Sequence, residues 1–165
     1  MLSIQIGKHM TIKRYYRPGN NKKLITSVLN VVLSVTGEWF TKEVAEYIAD
    51  DLKYQDLIGC FEKNVLIGFI VFTCIDGKIT ITTMAVRKDQ RKKGYGTKLY
   101  ESLEKEVINE GYKAILVQTV PEEVNRNYKS TIEFYIRMGF KIKKRYSELW
   151  ENGAIELEKE IADGT

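Results

Sequence analysis

The stretch VRKDQRKKGYGTKLYESL, residues 86–103, joins a strand pattern to a helix pattern through a glycine turn. The preceding KITITTMAV is rich in β-branched residues and predicts a strand, whereas apolar residues recur at helical spacing from Leu99 onward. The first N–H groups of a helix lack partners and lie at the positive end of its dipole. Gly94 and Gly96 allow a ligand to approach that backbone closely. The stretch therefore predicts a site for an anion such as a phosphate.

Positive charge is concentrated here. Residues 86–98 contain six lysines or arginines and one aspartate, whereas the whole chain of 165 residues has a formal net charge of +4. The nearly neutral remainder favours a local anionic ligand over a broad nucleic-acid surface. A nucleotide loop is excluded because position 99 is leucine and neither GxGxxG nor GxxxxGK[ST] is present. The loop considered alone is also compatible with a solvated basic turn that binds no ligand.

The rest of the chain predicts one domain over residues 1–165 that mixes helices and strands, an α/β (α+β) fold. The predicted order is β, α, α, three β, α, β, α, two β. Asp76-Gly77 predicts a tight type I′ hairpin, and the run AILVQTV predicts a strand that pairs in parallel across the preceding helix. The last two strands meet at Asn152-Gly153, with alternating basic and acidic residues facing each other. Residues 1–10 form either an extra strand or a loose tail.

Two motifs in this order resemble the GNAT family of N-acetyltransferases. The first is Arg91-Lys92-Lys93-Gly94-Tyr95-Gly96, which matches the cofactor loop of that family. The second is YKSTIEFYIRMGF, residues 128–140, which is similar to its fourth-helix segment. The resemblance extends over about residues 11–161. It implies a single N-acetyltransferase domain with a mixed, mostly antiparallel sheet of six to seven strands and about four helices.

The resemblance also implies that the anion is the diphosphate of acetyl-CoA. Backbone amides of the loop hold the diphosphate in the family, and the strand before the loop pairs with the pantetheine arm. A bulge at Thr82-Thr83 is compatible with the opening that admits that arm. In the family, an asparagine near the start of the fourth helix contacts pantetheine. The corresponding position here is Tyr128, and Asn127 lies one residue earlier. The residues implied at the cofactor are Met84, Ala85, Val86, Arg91, Lys92, Lys93, Gly94, Tyr95, Gly96, Thr97 and Tyr128.

By the same resemblance, Tyr135 is the acid that protonates the departing thiolate, and the N–H of Met84 or Ala85 polarises the acetyl carbonyl. From the residues alone, Tyr135 equally fits an apolar helix stripe within the core. No general base stands out. Trp39, Phe40 and Tyr47 fit either an acceptor pocket or core packing. The implied reaction is direct transfer of the acetyl group to a primary amine. The alternative is a non-catalytic module of this fold that binds or senses CoA.

The cysteines, the histidine and the apolar runs limit the kinds of ligand and partner that we expect. Cys60 and Cys74 form no CxxC pair, and the single histidine, His9, has no ligand pattern around it, so no metal is expected. The longest uncharged runs fall short of the roughly 20 apolar residues that a membrane span needs. We expect a cytoplasmic protein whose partner is a small-molecule or peptide amine. No membrane or nucleic-acid partner is expected, and a homodimer is left open.

Overall fold

The computed structural model describes residues 4–6, 9–148 and 153–161. In chain order its elements are β1 (Ile4–Ile6), β2 (Met10–Tyr15), α1 (Lys22–Val35), α2 (Glu43–Asp51), β3 (Asp56–Glu62), β4 (Val65–Ile75), β5 (Lys78–Val86), a short 3₁₀ turn (Lys88–Gln90), α3 (Tyr95–Asn109), β6 (Ala114–Thr119), α4 (Tyr128–Arg137), β7 (Lys141–Tyr146) and β8 (Ala154–Glu160).

All the described strands belong to one sheet in the order β1-β2-β3-β4-β5-β6-β8-β7. Only β5 and β6 pair in parallel, and they are connected through α3. The other neighbouring strands are antiparallel. The expected mixed, mostly antiparallel sheet with four helices is confirmed. The described sheet has one strand more than the six to seven expected, because residues 4–6 pair with β2.

Each face of the sheet carries its own core. The buried residues of α1 recur three or four positions apart and pack on one face, together with α2. Helices α3 and α4 cover the other face, where Leu99 and Leu103 are fully buried. Burial of these helix stripes against the sheet holds the two layers together. The apolar residues that recur at helical spacing in the sequence are therefore the residues that each helix packs against the sheet.

The central strands are joined by two hairpins with similar turns. Asp76 and Gly77 both have positive φ angles, 51° and 78°, as the predicted type I′ turn requires. Lys63 and Asn64 do the same with 50° and 66°. These turns fix the register of β3, β4 and β5.

A β-bulge interrupts β5 at the position indicated by the sequence. Val71 of β4 pairs with Thr83, whereas the next residue, Phe72, pairs with Ile81, so Thr82 has no partner on β4. The Thr82 hydroxyl donates a hydrogen bond to the Val71 carbonyl 3.2 Å away. The bulge reverses the inward and outward alternation of the residues that follow it.

The reversal decides which side chains reach each core. Ile81 packs against α3 and α4 before the bulge, and Met84 and Val86 pack on that same side after it. Ala85 instead packs on the α1 side. Strand β5 pairs with β6 only over Ile79–Ile81 and then continues to Val86 paired with β4 alone. The two strands thus separate beyond Ile81 and leave a gap between them.

The last hairpin differs from the expected ladder of facing charges. Lys141 faces Glu158 as expected, but the register shifts between Ile142 and Lys144, so the alternation of facing charges does not continue. Lys143 lies 3.8 Å from Glu158, whereas Arg145 pairs with Glu123 in the loop before α4 at 3.0 Å. Gly153 has a φ of 87°, and Asn152 of the predicted turn lies outside the described residues.

Candidate active site

A cleft of about 770 Å³ opens where β5 leaves β6 and α3 begins. Its walls come from the end of β5, the β5–α3 loop, the segment after α1, and α4. The cleft brings together eleven of the twelve site residues implied by the resemblance. These residues are Met84, Ala85, Val86, Arg91, Lys92, Gly94, Tyr95, Gly96, Thr97, Tyr128 and Tyr135.

The α3 N-terminus forms one end of the cleft. Gly94 precedes the helix in the left-handed conformation, with a φ of 87°, and its carbonyl accepts the first helical hydrogen bond from the Lys98 N–H at 3.1 Å. None of the described side chains caps this helix. Its first N–H groups therefore remain available to an anion in the cleft.

The two glycines of the loop have different roles. Gly94 needs its positive φ, which L side chains rarely adopt, although a Cβ there would meet nothing within 4 Å. A Cβ on Gly96 would lie 3.5 Å from Met84 Cε and 3.6 Å from Phe134 Cε2, which is ordinary van der Waals contact. The protein itself thus accommodates a Cβ at position 96, which lies in the lining of the cleft.

The basic side chains of the loop separate into two groups. Lys93 is the one implied residue that does not line the cleft, and its Nζ donates to Oε1 of Gln90, a cleft residue, at 3.1 Å. Lys88 lines the cleft, but its charge is paired with Glu38. Arg91 and Lys92 line the cleft, and burial lowers the pKa of Arg91 from its ordinary value. Positive charge at the cleft itself therefore comes from a subset of the loop.

The hydroxyl of Tyr95 is directed away from the basic side chains Arg91 and Lys92. The hydroxyl donates a hydrogen bond to the Glu62 carboxylate on β3, and that bond raises the pKa of Tyr95 to about 12. Tyr95 therefore anchors the first turn of α3 to the sheet.

Tyr135 is both a core residue and a cleft residue. It is 3% exposed and makes edge-to-face contacts with Phe134 and Phe140, whose ring centroids lie 5.3 Å away. Its hydroxyl lies 3.5 Å from Met84 Sδ at the cleft wall. Burial raises the pKa of Tyr135 above its ordinary value and keeps the hydroxyl protonated. A protonated hydroxyl at the cleft wall is available to donate to a group bound beside β5.

The start of α4 is tied to the segment after α1. The Asn127 side-chain amide donates to the Glu38 carbonyl at 2.9 Å, and the Tyr128 hydroxyl donates to the Trp39 carbonyl. Burial raises the pKa of Tyr128 to about 12. Tyr128 lines the cleft, whereas the Asn127 amide is used by this internal contact.

The family model of the acetyltransferase (GNAT) family matches residues 26–140, which include the β5–α3 loop and α4. The chain belongs to the GNAT family. Acetyl-CoA is the acyl donor of GNAT enzymes, and this chain is thus an acyltransferase that uses acetyl-CoA. A search of curated proteins gave no match.

Solved GNAT structures share the fold at low sequence identity. The ribosomal-protein-S18-alanine N-acetyltransferase from Escherichia coli is 14% identical with a TM-score of 0.77, over 94% of this chain and 96% of that one. An aminoglycoside 6'-N-acetyltransferase complexed with coenzyme A is 20% identical with a TM-score of 0.72, over 93% and 98%. The aminoglycoside 6'-N-acetyltransferase from Enterococcus faecium is 22% identical with a TM-score of 0.70, over 93% and 98%.

Several residues of this GNAT cleft were not expected from the sequence. They are Val35, Lys88, Gln90, Ser130, Thr131, Phe134 and Arg137. Thr131, Phe134 and Tyr135 recur at helical spacing, so α4 could have been extended in both directions from the tyrosine. Of the three aromatic residues for which core and pocket were both open, Trp39 and Phe40 line the cleft, whereas Tyr47 does not and is exposed. No local signal in the sequence indicates that the segment after α1 reaches it.

Other site types are not seen in the part of the chain that the structure describes. There, no group of three histidine, cysteine, aspartate or glutamate side chains is placed to hold a metal ion. No helix among the described residues is long and apolar enough to cross a membrane.

Proposed function

We propose that this protein transfers the acetyl group of acetyl-CoA directly to a primary amine. The observation that carries the proposal is one cleft that joins an uncapped helix N-terminus, a strand edge without a partner and a buried tyrosine. The helix end suits a diphosphate, the strand edge suits the amides of a pantetheine arm, and the tyrosine suits a thiolate.

The donor site would be formed mainly by backbone. The uncapped N–H groups at the start of α3 would hold the diphosphate, with Arg91 and Lys92 adding charge. The free edge of β5 over Met84–Val86 would pair with the pantetheine amides. Burial of Tyr135 and the apolar side chains around it would exclude water from the thioester end of the cleft.

The chemical step needs one bond formed and one broken. The neutral amine nitrogen attacks the thioester carbon, the N–C bond forms, and the C–S bond breaks. A backbone N–H of Met84 or Ala85 would stabilise the oxyanion, and Tyr135 would give its proton to the thiolate. The amine loses one proton to water, and Tyr135 regains one. No acyl-enzyme intermediate is required.

The acceptor would approach from the sheet face opposite α3 and α4. Gln118 follows Val117, the last β6 residue paired with β5, and is directed to that face. Its amide lies 3.2 Å from Glu156 Oε1, and the Tyr146 hydroxyl lies 3.4 Å from the same oxygen. Gln118 lies on β6 just beyond its pairing with β5, and this polar group on β6, β8 and β7 would contact the acceptor. Cys60 and Cys74 are free thiols, which supports a reducing, cytoplasmic location.

A thiol-release assay tests the proposal. Purified protein is incubated with acetyl-CoA and a panel that contains an aminoglycoside, a peptide with N-terminal alanine and a polyamine. The first two classes match the names of the structural neighbours. Amine-dependent release of CoA thiol, with the acetylated amine detected by mass spectrometry, supports the enzyme. CoA binding without turnover on any amine supports the alternative, a non-catalytic CoA-binding or sensor module.

A further inference from the structure

The guanidinium group of Arg91 has an unusual environment at the cleft. Its guanidinium carbon lies 3.9 Å from the centroid of the Trp39 ring, so one face of the group is covered by the indole. Burial lowers the pKa of Arg91, which means that the charged group has lost part of its hydration. Among the described residues, no carboxylate or carbonyl accepts a hydrogen bond from it. The nearby Glu38 is engaged by Lys88.

A stacked arginine keeps all its donors free. The five N–H bonds of a guanidinium lie in its plane, and stacking uses the faces instead. A partly desolvated cation with unused donors gains most from an anion that accepts two of them at once. The edge of Arg91 therefore suits a phosphate group in the cleft that both residues line.

Trp39 is held rigidly enough to orient this cation. Its indole N–H donates to the Asn127 carbonyl at 3.1 Å, and its own carbonyl accepts from the Tyr128 hydroxyl. The preceding carbonyl, that of Glu38, accepts from the side-chain amides of Asn125 and Asn127, each at 2.9 Å. Four hydrogen bonds thus fix the segment after α1 to the start of α4, and Arg91 rests on it.

We propose that Trp39 is a positioning residue for the acyl donor: it holds Arg91 so that the guanidinium edge meets the diphosphate of CoA. This rests on the proposed function, because it assumes a CoA in the cleft. Trp39 acts through Arg91 and not through its own contact with the donor. The consequence is that the segment after α1, far from the loop in sequence, sets the affinity of the diphosphate subsite.

The test is a double-mutant cycle on CoA binding, measured by calorimetry. We expect Trp39→Leu to weaken CoA binding by about 2- to 30-fold, the range that corresponds to one cation–π contact. Trp39→Phe keeps an aromatic face and should lose less. Arg91→Met should lose at least as much as Trp39→Leu. The double variant should bind as Arg91→Met does, because Trp39 has no role without the arginine.

Two controls separate positioning from direct contact. Phe40 also lines the cleft but makes no stacking contact with Arg91, so any effect of Phe40→Leu should persist in the Arg91→Met background. Dephospho-CoA keeps the diphosphate and lacks the ribose 3'-phosphate. The loss caused by Trp39→Leu should therefore be equal for CoA and dephospho-CoA. Thermal melts of each variant identify any that are not folded, and Trp39→Phe carries the test if Trp39→Leu is one of them.

The outcomes distinguish the two proposals. Additive losses at Trp39 and Arg91 would overturn the positioning role and leave the acetyltransferase proposal intact. A loss seen with CoA but not with dephospho-CoA would move Arg91 to the ribose phosphate and also overturn it. A parent protein that binds no CoA would overturn both proposals. Equal, non-additive losses with both ligands support the assignment.

Discussion

At the scale of single residues, Tyr135 resolves a choice that the sequence leaves open. Core packing and cleft position coexist in it, because its ring contacts two phenylalanines while its hydroxyl reaches the β5 wall at Met84. We expect Tyr135→Phe to keep the fold and CoA affinity, since the ring remains. Its kcat should fall by about 10²- to 10⁴-fold, or by less if thiolate departure does not limit turnover.

The pH dependence tests the same hydroxyl. Because burial raises the pKa of Tyr135 above the ordinary value of about 10, the protonated and active form persists past pH 10. The kcat of the parent should therefore show no falling limb from this group between pH 6 and pH 10. Tyr135→Phe should lose a constant factor across that range. An unchanged kcat in the variant would restrict Tyr135 to core packing.

The neighbouring lysines of the loop offer a matched pair. Lys92 lines the cleft and Lys93 contacts Gln90, so the same loss of one charge is made at two adjacent positions. We expect Lys92→Gln to raise the Kd for CoA by up to about 5-fold at low salt, and Lys93→Gln to raise it less. The difference should shrink at high ionic strength, because salt screens exposed charges. Titrations at two salt concentrations measure it; equal effects would contradict the placement.

At the scale of elements, the two glycines of the loop before α3 allow the effect of backbone strain to be measured apart from the effect of filling the cleft. Gly94→Ala should destabilise the protein by about 1 kcal/mol, because alanine pays for the positive φ that glycine adopts freely. Gly96→Val should leave the melting temperature nearly unchanged and weaken CoA binding strongly. Denaturant unfolding and calorimetry on both variants separate these effects. Tight CoA binding by Gly96→Val would place the diphosphate elsewhere.

A buried ion cluster joins three elements on the α3 side. Arg14 of β2 is 7% exposed, and its guanidinium contacts Asp56 and Glu106, each at 2.9 Å, together with Glu110. Arg14→Leu would leave three carboxylates without their cation. We expect a loss of about 3 kcal/mol in the free energy of unfolding, at the low end for buried pairs because the carboxylates are partly exposed. Urea unfolding measures it, with exposed Lys53→Ala as the near-neutral control.

The sequence predicts these elements better than their registers. Periodicity and turn residues were sufficient for the helices and for the hairpin at Asp76-Gly77, because both depend on local backbone preferences. The charge pattern of the last two strands was right for Lys141, which faces Glu158, and wrong for Arg145, which pairs with Glu123, because the strand register shifts after Ile142. The bulge at Thr82 was indicated by a change of pattern, and only the structure shows that it turns Met84 toward α4.

The same limit applies to the site. Motif residues that follow one another along the β5–α3 loop were predicted together, because one turn presents them all. Trp39 could not be assigned, since its place beside Arg91 depends on how α1 packs on the sheet. Lys93 and its neighbour were predicted together, but the two side chains differ in place: Lys92 lines the cleft, whereas Lys93 contacts Gln90.

At the scale of the whole molecule, three segments far apart in sequence meet at the cleft. Residues 36–40, 87–97 and 125–128 are linked by the Arg91–Trp39 stack, by the hydrogen bonds to Glu38 and Trp39, and by the Lys88–Glu38 ion pair. A ligand that binds the folded state stabilises it, by about 2.7 kcal/mol at 100 times its Kd. We expect the contacts that link the three segments to be stabilised together when the ligand binds.

We therefore expect saturating CoA to slow amide hydrogen exchange in all three segments and not only in the loop that holds the diphosphate. The edge strand β7, Lys141–Tyr146, is exposed over most of its length and contributes nothing to the cleft, so it serves as the internal reference. Arg91→Met, which removes the stack, should keep the protection of residues 87–97 and reduce that of residues 36–40. Exchange read by mass spectrometry at peptide resolution measures each segment separately. Protection confined to residues 87–97 in the parent protein would show that the three segments respond independently.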